Sequence, residues 1–582
     1  MNNASLELGG TNWAEKDGNI LGYSVGDTSG KYSPQEFTFA RGSNLSATRI
    51  DRAGLIVKGR ENVLTYSNDF SNVAWDKNII SITSGQADKD GGTTASRLTA
   101  NSGGQFRRLL QATNENSVVA ASIFVKSGTA DFVYMVHTSG SYSSGGYQFF
   151  DLANGTLGAS SFLKIIDSKI EDAGNGWYRC TLVSEPDAIG NLYIGISNND
   201  TNTNVTSGLY VDIQDAQLEQ GLAASPYIES GATNGTAGVL ENTPRLNYTT
   251  GVANPYLLLE PSRTNSVTSS ETFGSTGWTN FVTGTAITTI VTDNFAISPD
   301  GTKNAQRIQF NLGGGTTAAD RTVIRQSITS QTNWVLSVYM KSTDGTDQKI
   351  LWHTGGDSNE TVVTGEWKRY TFNLNGTNNS WVGLAMRGTI STNNTSDILV
   401  YGFQAETGSY PTSYIPTYSV SATRAQDVCV KTNASGEIGQ TEGTMFIESS
   451  ALSNDYPSDS WYSISDGTAA NRIMIGYYRN PNIIRFYATF QGTNVLDSTV
   501  NVGDISDVKK IVIAYASNDI VAYVNGSNVV TVTNTSSSVP NNLSKYAFEN
   551  EGGTYPLYAK VNQAELYKER LTNAELATLT TI

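Results

Sequence analysis

The stretch LYVDIQDAQLEQGLAASPYIES, residues 209–230, recurs in altered form as ILVYGFQAETGSYPTSYIPT at residues 398–417. Each copy starts as a run rich in apolar residues, continues through a Gln-x-Glu triplet and closes on a Tyr-Ile pair. Because residue types recur in the same order, the chain contains two copies of one module. The matched positions are Gln217 with Gln404, Glu219 with Glu406, Tyr227 with Tyr414 and Ile228 with Ile415.

Working back from these ends, the match extends over residues 61–230 and 263–420. We expect the matched tryptophans to fill the space between two sheets, and the matched arginines to bond turn carbonyls or the terminal glutamate. Contact with a ligand is the alternative for each pair. The further matched positions are Trp75 with Trp278, Arg97 with Arg307, Lys126 with Lys341, Trp177 with Trp367 and Arg179 with Arg369.

Strand patterns dominate each copy. Apolar runs such as VVAASIFVKS at 118–127 and VLSVYMKS at 335–342 are bounded by clusters of Gly, Asn, Asp and Thr, which is typical of strands joined by turns. With no helix to cover a sheet, a two-sheet sandwich of the jelly-roll type is the simplest architecture. The predicted fold class is therefore all-β.

Composition excludes several functions. The chain has 582 residues, 38 basic against 53 acidic side chains and a net charge of −15, which disfavours a nucleic-acid binder. We find no apolar run of about 18 residues for a membrane span, and the start, MNNASLELGG, lacks the pattern of a secretory signal. We expect Cys180 and Cys429 to be buried thiols, and two histidines are too few for a histidine-based metal centre or triad.

The part of the chain that follows the second copy has a different pattern. Asn525-Gly526 between two apolar runs predicts a type I′ hairpin. Thr572 as N-cap and Glu575 at the third helical position predict a capping box that starts the one clear helix. We expect that helix to lie against a sheet.

Two resemblances follow from these segments. The phrase PRLNYTTGVANPYLLLEPSRTN at 244–265, with the SYIPT endings and the SATR that follows the second copy, resembles repeated modules of bacteriophage tail-fibre and related virion proteins, which themselves resemble carbohydrate-binding jelly rolls. The C-terminal region, from GTMFIESS at 443–450 to AELYKERLTNAEL at 564–576, resembles a concanavalin A-like or laminin G-like domain.

The resemblances imply a division of the chain into five parts. The expected order is an N-terminal virion-attachment and connector segment at 1–60, a first jelly-roll module at 61–230, an extended connector at 231–262, a second module at 263–420 and a concanavalin A-like domain at 421–582.

Sugar recognition relies on aromatic faces beside polar side chains. In the terminal domain the candidate residues are Tyr456, Trp461, Tyr477, Tyr478, Arg479 and Tyr487. Tyr477 and Tyr478 are adjacent on a predicted strand, so one of them must face outward. Packing inside the sandwich is the alternative interpretation for every aromatic in this set.

Two further groups of residues allow more than one interpretation. Asp88 and Asp90 precede a glycine pair and could hold a structural Ca²⁺, or form a solvated turn. His137 and His353 follow the matched lysines at nearly the same offset, so we expect them at one repeat position, with a structural role or a ligand or subunit contact.

We predict binding rather than catalysis. No P-loop, nucleophile elbow or zinc motif occurs, and the terminal domain has no strand with the alternating acids of its hydrolytic relatives. The expected function is that of a fibre-like phage virion protein, on the particle exterior and homotrimeric, that displays sandwiches to a host glycan. It would contact other virion proteins through its N-terminal segment, and neither nucleic acid nor membrane. The alternatives are a head or collar decoration protein that contacts only virion proteins and, less favoured, a polysaccharide depolymerase.

Overall fold

The computed structural model describes residues 4–16, 18–25, 32–43, 45–138, 146–161, 165–186, 189–275, 277–455 and 458–582. Over these ranges the chain forms 45 strands and one short helix, which confirms the all-β prediction. No helix in this part of the chain is long and apolar enough to cross a membrane. Cys180 and Cys429 are buried free thiols, as expected.

The first module is a sandwich of two six-stranded antiparallel sheets. Their inner faces share one core that contains Trp75, Ile123, Met135 and Ile213. The strands that precede this module are β1 (Leu6–Gly9), β2 (Ala14–Lys16), β3 (Asn19–Val25), β4 (Tyr32–Ala40), β5 (Thr48–Ile50), β6 (Ile56–Lys58) and β7 (Arg60–Asn62). The module itself contains β8 (Asp76–Asn78), β9 (Ile80–Gln86), β10 (Ala95–Ala100), β11 (Gly104–Gln105), β12 (Arg108–Ala112), β13 (Val119–Ser127), β14 (Phe132–Thr138), β15 (Gln148–Asp151), β16 (Thr156–Ser160), β17 (Ile165–Gly174), β18 (Trp177–Ser184), β19 (Asn191–Ser197), β20 (Asn204–Val205) and β21 (Tyr210–Gln220). One sheet has the order β17-β18-β13-β21-β10-β9 and the other β16-β15-β14-β19-β12-β8.

The second module repeats this plan with longer strands. Two strands pass through both layers without a break, where the first module uses separate strands for the two sheets. After β22 (Gly235–Ala237), β23 (Leu246–Asn247), β24 (Tyr256–Leu259) and β25 (Arg263–Asn265), the module consists of β26 (Trp278–Thr283), β27 (Ile287–Ile297), β28 (Lys303–Asn311), β29 (Arg321–Ser342), β30 (Gln348–His353), β31 (Asp357–Val363), β32 (Lys368–Arg387) and β33 (Thr395–Thr407). The continuous strands are β29 and β32.

The strand β34 (Ala422–Arg424) pairs with β25 in a separate two-stranded sheet ahead of the terminal sandwich. The remaining strands belong to the terminal sandwich and are β35 (Val428–Lys431), β36 (Glu442–Ala451), β37 (Ser460–Ser465), β38 (Arg472–Tyr477), β39 (Ile483–Phe490), β40 (Thr493–Asn501), β41 (Lys509–Ala516), β42 (Asp519–Val524), β43 (Ser527–Val532), β44 (Lys545–Ala547) and β45 (Ala559–Tyr567). One layer pairs β45, β36, β41, β42 and β43, and the other pairs β44, β37, β38, β39 and β40.

Both local predictions for this region are confirmed. Asn525 and Gly526 have positive φ angles of 48° and 83° between β42 and β43, as a type I′ turn requires. The helix α1 (Asn573–Thr580) starts with a capping box in which Thr572 and Glu575 bond each other's backbone N–H. Leu576 is buried against the outer face of β41 and β42.

The N-terminal strands belong to the terminal sandwich. β1 pairs with β45 over Leu6↔Leu566 to Gly9↔Gln563, and β4 pairs with β35. The β3–β4 pair joins the two layers, so the strand pairing closes on itself. The connector contributes β24, which also pairs with β45. The strands β1–β4, β23 and β24 thus complete a domain whose other strands begin after residue 427, while the predicted attachment role of residues 1–60 stays a prediction.

A buried charge cluster lies where these distant segments meet. Arg245 from the connector donates to Glu260 at 2.5 Å and to Asp427. Arg424 lies 3.0 Å from Glu260, and Arg41 from the N-terminal segment lies 3.4 Å from Asp427. All five side chains are buried. Burial alone would raise the pKa of Glu260, but Arg424 and Arg245 outweigh it and hold that pKa well below its usual range.

Phe37 on β4 tests whether the N-terminal strands support the terminal core. Its ring is fully buried, with its centroid 5.4 Å from that of Tyr546. Phe37→Ala should lower the free energy of unfolding of the terminal sandwich by about 3–5 kcal/mol, because it leaves a cavity in that core. Urea denaturation measures the change. Leu157→Ala, at a site that is 45% exposed, is the control and should cost little; equal effects of the two substitutions would contradict the assignment of β4 to this core.

Candidate functional site

The Gln-x-Glu triplets that revealed the duplication are structural. In the first module the Gln217 side chain donates to Glu219 at 2.8 Å and accepts from the Ile228 backbone N–H at 2.6 Å. In the second, Gln404 donates to Glu406 at 2.8 Å, and its side-chain oxygen accepts from the backbone of the matching isoleucine at 2.7 Å. The repeated motif therefore holds the end of each module against its last long strand.

The matched arginines divide into two groups. Arg179 and Arg369 donate to the turn carbonyls of Ser225 and Thr412, as expected. Arg97 and Arg307 do not: they form ion pairs, and the partners are Asp212 and Asp397. These aspartates occupy different positions in the two copies, so the sequence match of the arginines carried no information about their acceptors.

Of the matched tryptophans, Trp75 and Trp278 lie in the cores of their modules, as predicted. Trp177 is buried, but it pairs with Lys126 on the face of β18 that points away from the core between the sheets. Its counterpart Trp367 is not in the core of its module either. It is half-buried, and its indole N–H donates to the carbonyl of Ile297 on the edge strand β27. The expectation that every matched tryptophan fills the space between the sheets is therefore wrong for Trp177 and Trp367.

The two histidines do not share one repeat position. His137 pairs with Leu192, which also pairs with Gln111 of the neighbouring strand. In the second module Gln326 takes the place of Gln111, because each accepts from a matching threonine N–H, and Gln326 pairs with Val382. His353 pairs with Gly383, the next residue along that strand. A shift of one position turns a strand side chain to the opposite face, so the expected equivalence is wrong.

Their surroundings differ accordingly. His137 lies on the face of β14 that carries core residue Met135, and its Nε2 lies 3.1 Å from the Thr113 hydroxyl. His353 lies on the opposite face, with Nδ1 2.8 Å from Asp357, which also pairs with Arg321. Both rings are buried by more than nine-tenths and serve packing and internal polar contacts.

Asp88 forms a tight turn. Its carboxylate accepts from the backbone N–H groups of Asp90, Gly92 and Thr94 at 2.6–3.0 Å. The Thr94 backbone N–H makes the largest contribution to lowering the pKa of Asp88 to about 2. Asp90 instead lies 2.6 Å from the Lys89 ammonium. The described residues contain no cluster of three or more histidine, cysteine or acidic side chains arranged for a metal, and the calcium site stays a prediction.

Four of the predicted glycan residues meet on the outer face of the β37–β40 sheet. We name this group the platform; it comprises Trp461, Tyr478, Arg479 and Tyr487 together with Arg485. The Arg485 guanidinium lies 5.7 Å from the Trp461 ring centroid, 5.5 Å from that of Tyr478 and 5.4 Å from that of Tyr487. Arg485 was not among the predicted residues, although its alternation with Tyr487 on one strand indicates that the two side chains share a face.

Strand geometry explains the grouping. Trp461, Gly476 and Arg485 stand side by side on three adjacent strands. A Cβ at Gly476 would lie 2.5 Å from the Trp461 ring, so only glycine lets the indole rest on the sheet. Trp461 is thereby buried as the floor, while Tyr478 and Tyr487 are half-buried above it.

Tyr477 faces the other way. Its ring is in the core and its hydroxyl lies 2.8 Å from that of Ser449. One tyrosine of the adjacent pair faces outward, as predicted, and it is Tyr478. Tyr456, named with this group, lies outside the described residues.

Carboxylates hold the platform arginines in place. Arg485 bonds Asp497 through two parallel contacts of 2.9 and 2.8 Å and reaches Asp459 at 3.1 Å. Arg472, 4.8 Å from the Tyr487 ring centroid, pairs with Glu551 at 2.6 Å. With Arg479 the platform region carries three positive and three negative side chains, so it is polar but close to neutral.

A second aromatic surface was not anticipated. An open cleft of about 470 Å³ lies on the outer face of the first module. Aromatic rings and short polar side chains line it, among them Phe106, Tyr147, Phe149, Asp200 and Asn202. Its residues come from four separate strands and loops, which is why no single sequence window indicates it.

No family model matches the chain, and no curated protein matches it. Among solved structures, the CBM40 of a Ruminococcus gnavus IT-sialidase bound to α2,3-sialyllactose aligns at 13% identity over 25% of this chain and 84% of that one, with a TM-score of 0.21. The CBM22 tandem domain of Paenibacillus barcinonensis Xyn10C aligns at 10% identity over 63% and 100%, with a TM-score of 0.18.

A Trypanosoma rangeli sialidase in complex with sialic acid aligns at 11% identity over 93% of this chain and 97% of that one, with a TM-score of 0.22. At these TM-scores the alignments carry no argument about function. The fold assignment rests on the strand pairing of the chain itself, which is that of an all-β protein of several antiparallel sandwich-like sheets.

His137 predicts a specific dependence of stability on pH. Burial lowers its pKa from 6.5 to about 4. Between these values the unfolded chain binds a proton that the folded chain does not, so the free energy of unfolding falls as the pH drops from about 6.5 toward 4. His137→Gln removes that proton site. Urea denaturation at about pH 7 and pH 4.5 should show a smaller loss for the variant than for the wild type; equal losses would contradict the assignment.

Proposed function

We propose that this chain is a fibre-like structural protein on the exterior of a bacteriophage particle, and that its terminal sandwich binds a host-surface glycan through the platform. The observation that carries the binding proposal is the set of three aromatic rings gathered around Arg485 on an outer sheet face. Tyrosine faces stack on the apolar side of sugar rings, and fixed guanidinium and carboxylate groups bond sugar hydroxyls.

The charge balance of the platform indicates the ligand class. Because each of Arg485 and Arg472 already has a carboxylate partner, a polyanion would gain little there and would meet the repulsion of a chain with net charge −15. Uncharged hydroxyl groups can bond both members of these pairs without separating them. We therefore propose a neutral saccharide rather than an acidic one.

The phage part of the proposal rests on the sequence resemblance at 244–265. That segment forms β23, β24 and β25 and supplies Arg245 and Glu260 to the buried charge cluster. In the proposed particle the chain is a homotrimer and acts by binding, without turnover. Because β1 and β4 are built into the terminal sandwich, attachment through the N-terminal segment would use the side of that sandwich where these strands lie.

A second candidate is a head or collar protein that contacts only other virion proteins. The edge strand β27 favours it, because Ile290 and Ile297 are each 56% exposed and Phe295 is 41% exposed. Exposed apolar residues on an edge strand are suited to a protein interface. Ile290→Asp with Ile297→Asp should then reduce incorporation into particles, as judged by gel analysis of purified virions. Normal incorporation would contradict this candidate.

Binding by the platform can be tested with the full chain on an array of neutral and acidic oligosaccharides. Tyr487→Ala and Arg485→Ala should each weaken binding of neutral glycans about ten-fold, or ~1.4 kcal/mol. Tyr555→Ala, an exposed tyrosine outside the platform, is the matched control and should bind as the wild type does.

The same samples distinguish binding from turnover. Circular dichroism of each variant confirms folding, and incubation with host polysaccharide should release no new reducing ends. Absence of any glycan binding by the wild type, or a preference for acidic glycans that the two variants leave unchanged, would overturn the platform proposal.

A further inference from the structure

Lys58 is a buried amine held against two carboxylates of another module. It is the last residue of β6, ahead of the first module, and its side chain points into the second module. Its Nζ lies 2.7 and 2.8 Å from the two carboxylate oxygens of Glu271 and 3.2 Å from Oδ2 of Asp300. The side chains are 4%, 1% and 0% exposed, in that order.

Tyrosines surround the three groups. The Tyr401 hydroxyl lies 3.1 Å from both Glu271 and Asp300 and so bridges the two acids. The Tyr414 hydroxyl also reaches Glu271 at 3.1 Å. A lysine, an aspartate and a glutamate are thus enclosed together in a site that bulk water does not reach.

The two carboxylates have different surroundings. Oδ1 of Asp300 accepts from the Ser298 hydroxyl and from both the backbone and the hydroxyl of Thr302, at 2.6–2.9 Å. Oδ2 accepts from Asn304 and Tyr401 at 3.0 and 3.1 Å. Donors arranged in this way stabilise negative charge on a carboxyl group that is under nucleophilic attack. Glu271 faces Lys58 with both oxygens and is placed to exchange a proton with it.

We propose that Lys58 and Asp300 condense into an intramolecular amide cross-link, with Glu271 as the proton carrier. The site holds amine and carboxyl in contact, which replaces a bimolecular encounter with a fixed geometry. Condensation also converts an ion pair that is costly to bury into a neutral amide and releases one water molecule.

The steps balance without any further reactant. The Lys58 ammonium gives one proton to Glu271 and becomes a nucleophilic amine. Its nitrogen attacks Cγ of Asp300, forming the C–N bond, while charge collects on the carboxyl oxygens that the donors hold. Glu271 returns its proton, and with a second proton from the nitrogen one Asp300 oxygen leaves as water. The products are an amide, water and the ionised Glu271.

The reactant state is the ion pair. Burial lowers the pKa of Lys58, but Glu271 and Asp300 outweigh it and raise that pKa above its ordinary value. Burial raises the pKa of Asp300, but Lys58 outweighs it and lowers that pKa below its usual range. The Lys58 ammonium must therefore first transfer a proton to Glu271, so cross-linking depends on this glutamate.

A second lysine–aspartate pair in the same chain provides a comparison for Lys58 and Asp300. Lys89 in the first module lies 3.1 Å from Asp215, nearly the same separation as Lys58 from Asp300. Its other acidic neighbour, Asp90, is 68% exposed, so this second acid is not enclosed as Glu271 is. Lys89 and Asp215 are as close as Lys58 and Asp300, but the second acid beside them is exposed. We therefore expect Lys89 to remain a free amine.

Mass spectrometry of the full wild-type chain under denaturing conditions tests the proposal. The intact mass should fall below the sequence mass by about 18 Da, the mass of one water. Tryptic digestion should yield a branched peptide that joins residues 53–60 to residues 264–303, uncut after Lys58, and Lys89 should be unmodified. An intact mass equal to the sequence mass, with cleavage after Lys58, would overturn the cross-link.

Variants then test the roles. Asp300→Ala should abolish the mass loss, and Glu271→Gln should abolish or strongly slow it while circular dichroism stays that of a β protein. A Glu271→Gln chain that cross-links as fully as the wild type would overturn the role of Glu271. The mass of the wild-type chain decides by itself whether the cross-link forms, even if a variant fails to fold. The result does not depend on glycan binding.

Discussion

The arrangement of the whole chain depends on the buried pairing of Arg245 with Glu260 and Asp427. These residues come from the connector between the modules and from the entry to the terminal sandwich, and Arg41 and Arg424 complete the cluster. Removing one partner of such a cluster leaves an uncompensated charge in the interior, which costs about 3–5 kcal/mol. That penalty favours the one arrangement in which the N-terminal strands, the connector and the terminal sandwich meet.

Structural features that depend on a short stretch of chain were predicted correctly from the sequence. The capping box at Thr572, the turn at Asn525 and the strand-and-turn composition each act over a short stretch of chain, and the structure has all three. The duplication was also visible, because its Gln-x-Glu motif makes the same internal bonds in both modules. The all-β class followed from these features.

The long-range partners of the strands and their exact register could not be predicted from the sequence. Nothing in LELG at positions 6–9 indicates that it pairs with β45, which lies near the other end of the chain. The two histidines stand at nearly equal offsets from their matched lysines, yet a difference of one position places their rings on opposite faces of their strands. Arg485 lay between predicted platform residues, but only the sheet shows that three aromatic rings surround it. The charge clusters combine residues that are too far apart in the chain for any window to link.

The first strands and the connector are integral parts of the terminal sandwich. Hydrogen–deuterium exchange of the intact chain measures this most directly, because a paired backbone amide in a core strand exchanges only on opening of the structure. Amides in Leu6–Gly9 and Leu257–Leu259 that bond to β45 should be protected as strongly as those of β45 itself. Exchange of either segment at the rate of an unpaired peptide, while β45 stays protected, would show that the segment is not part of the sandwich.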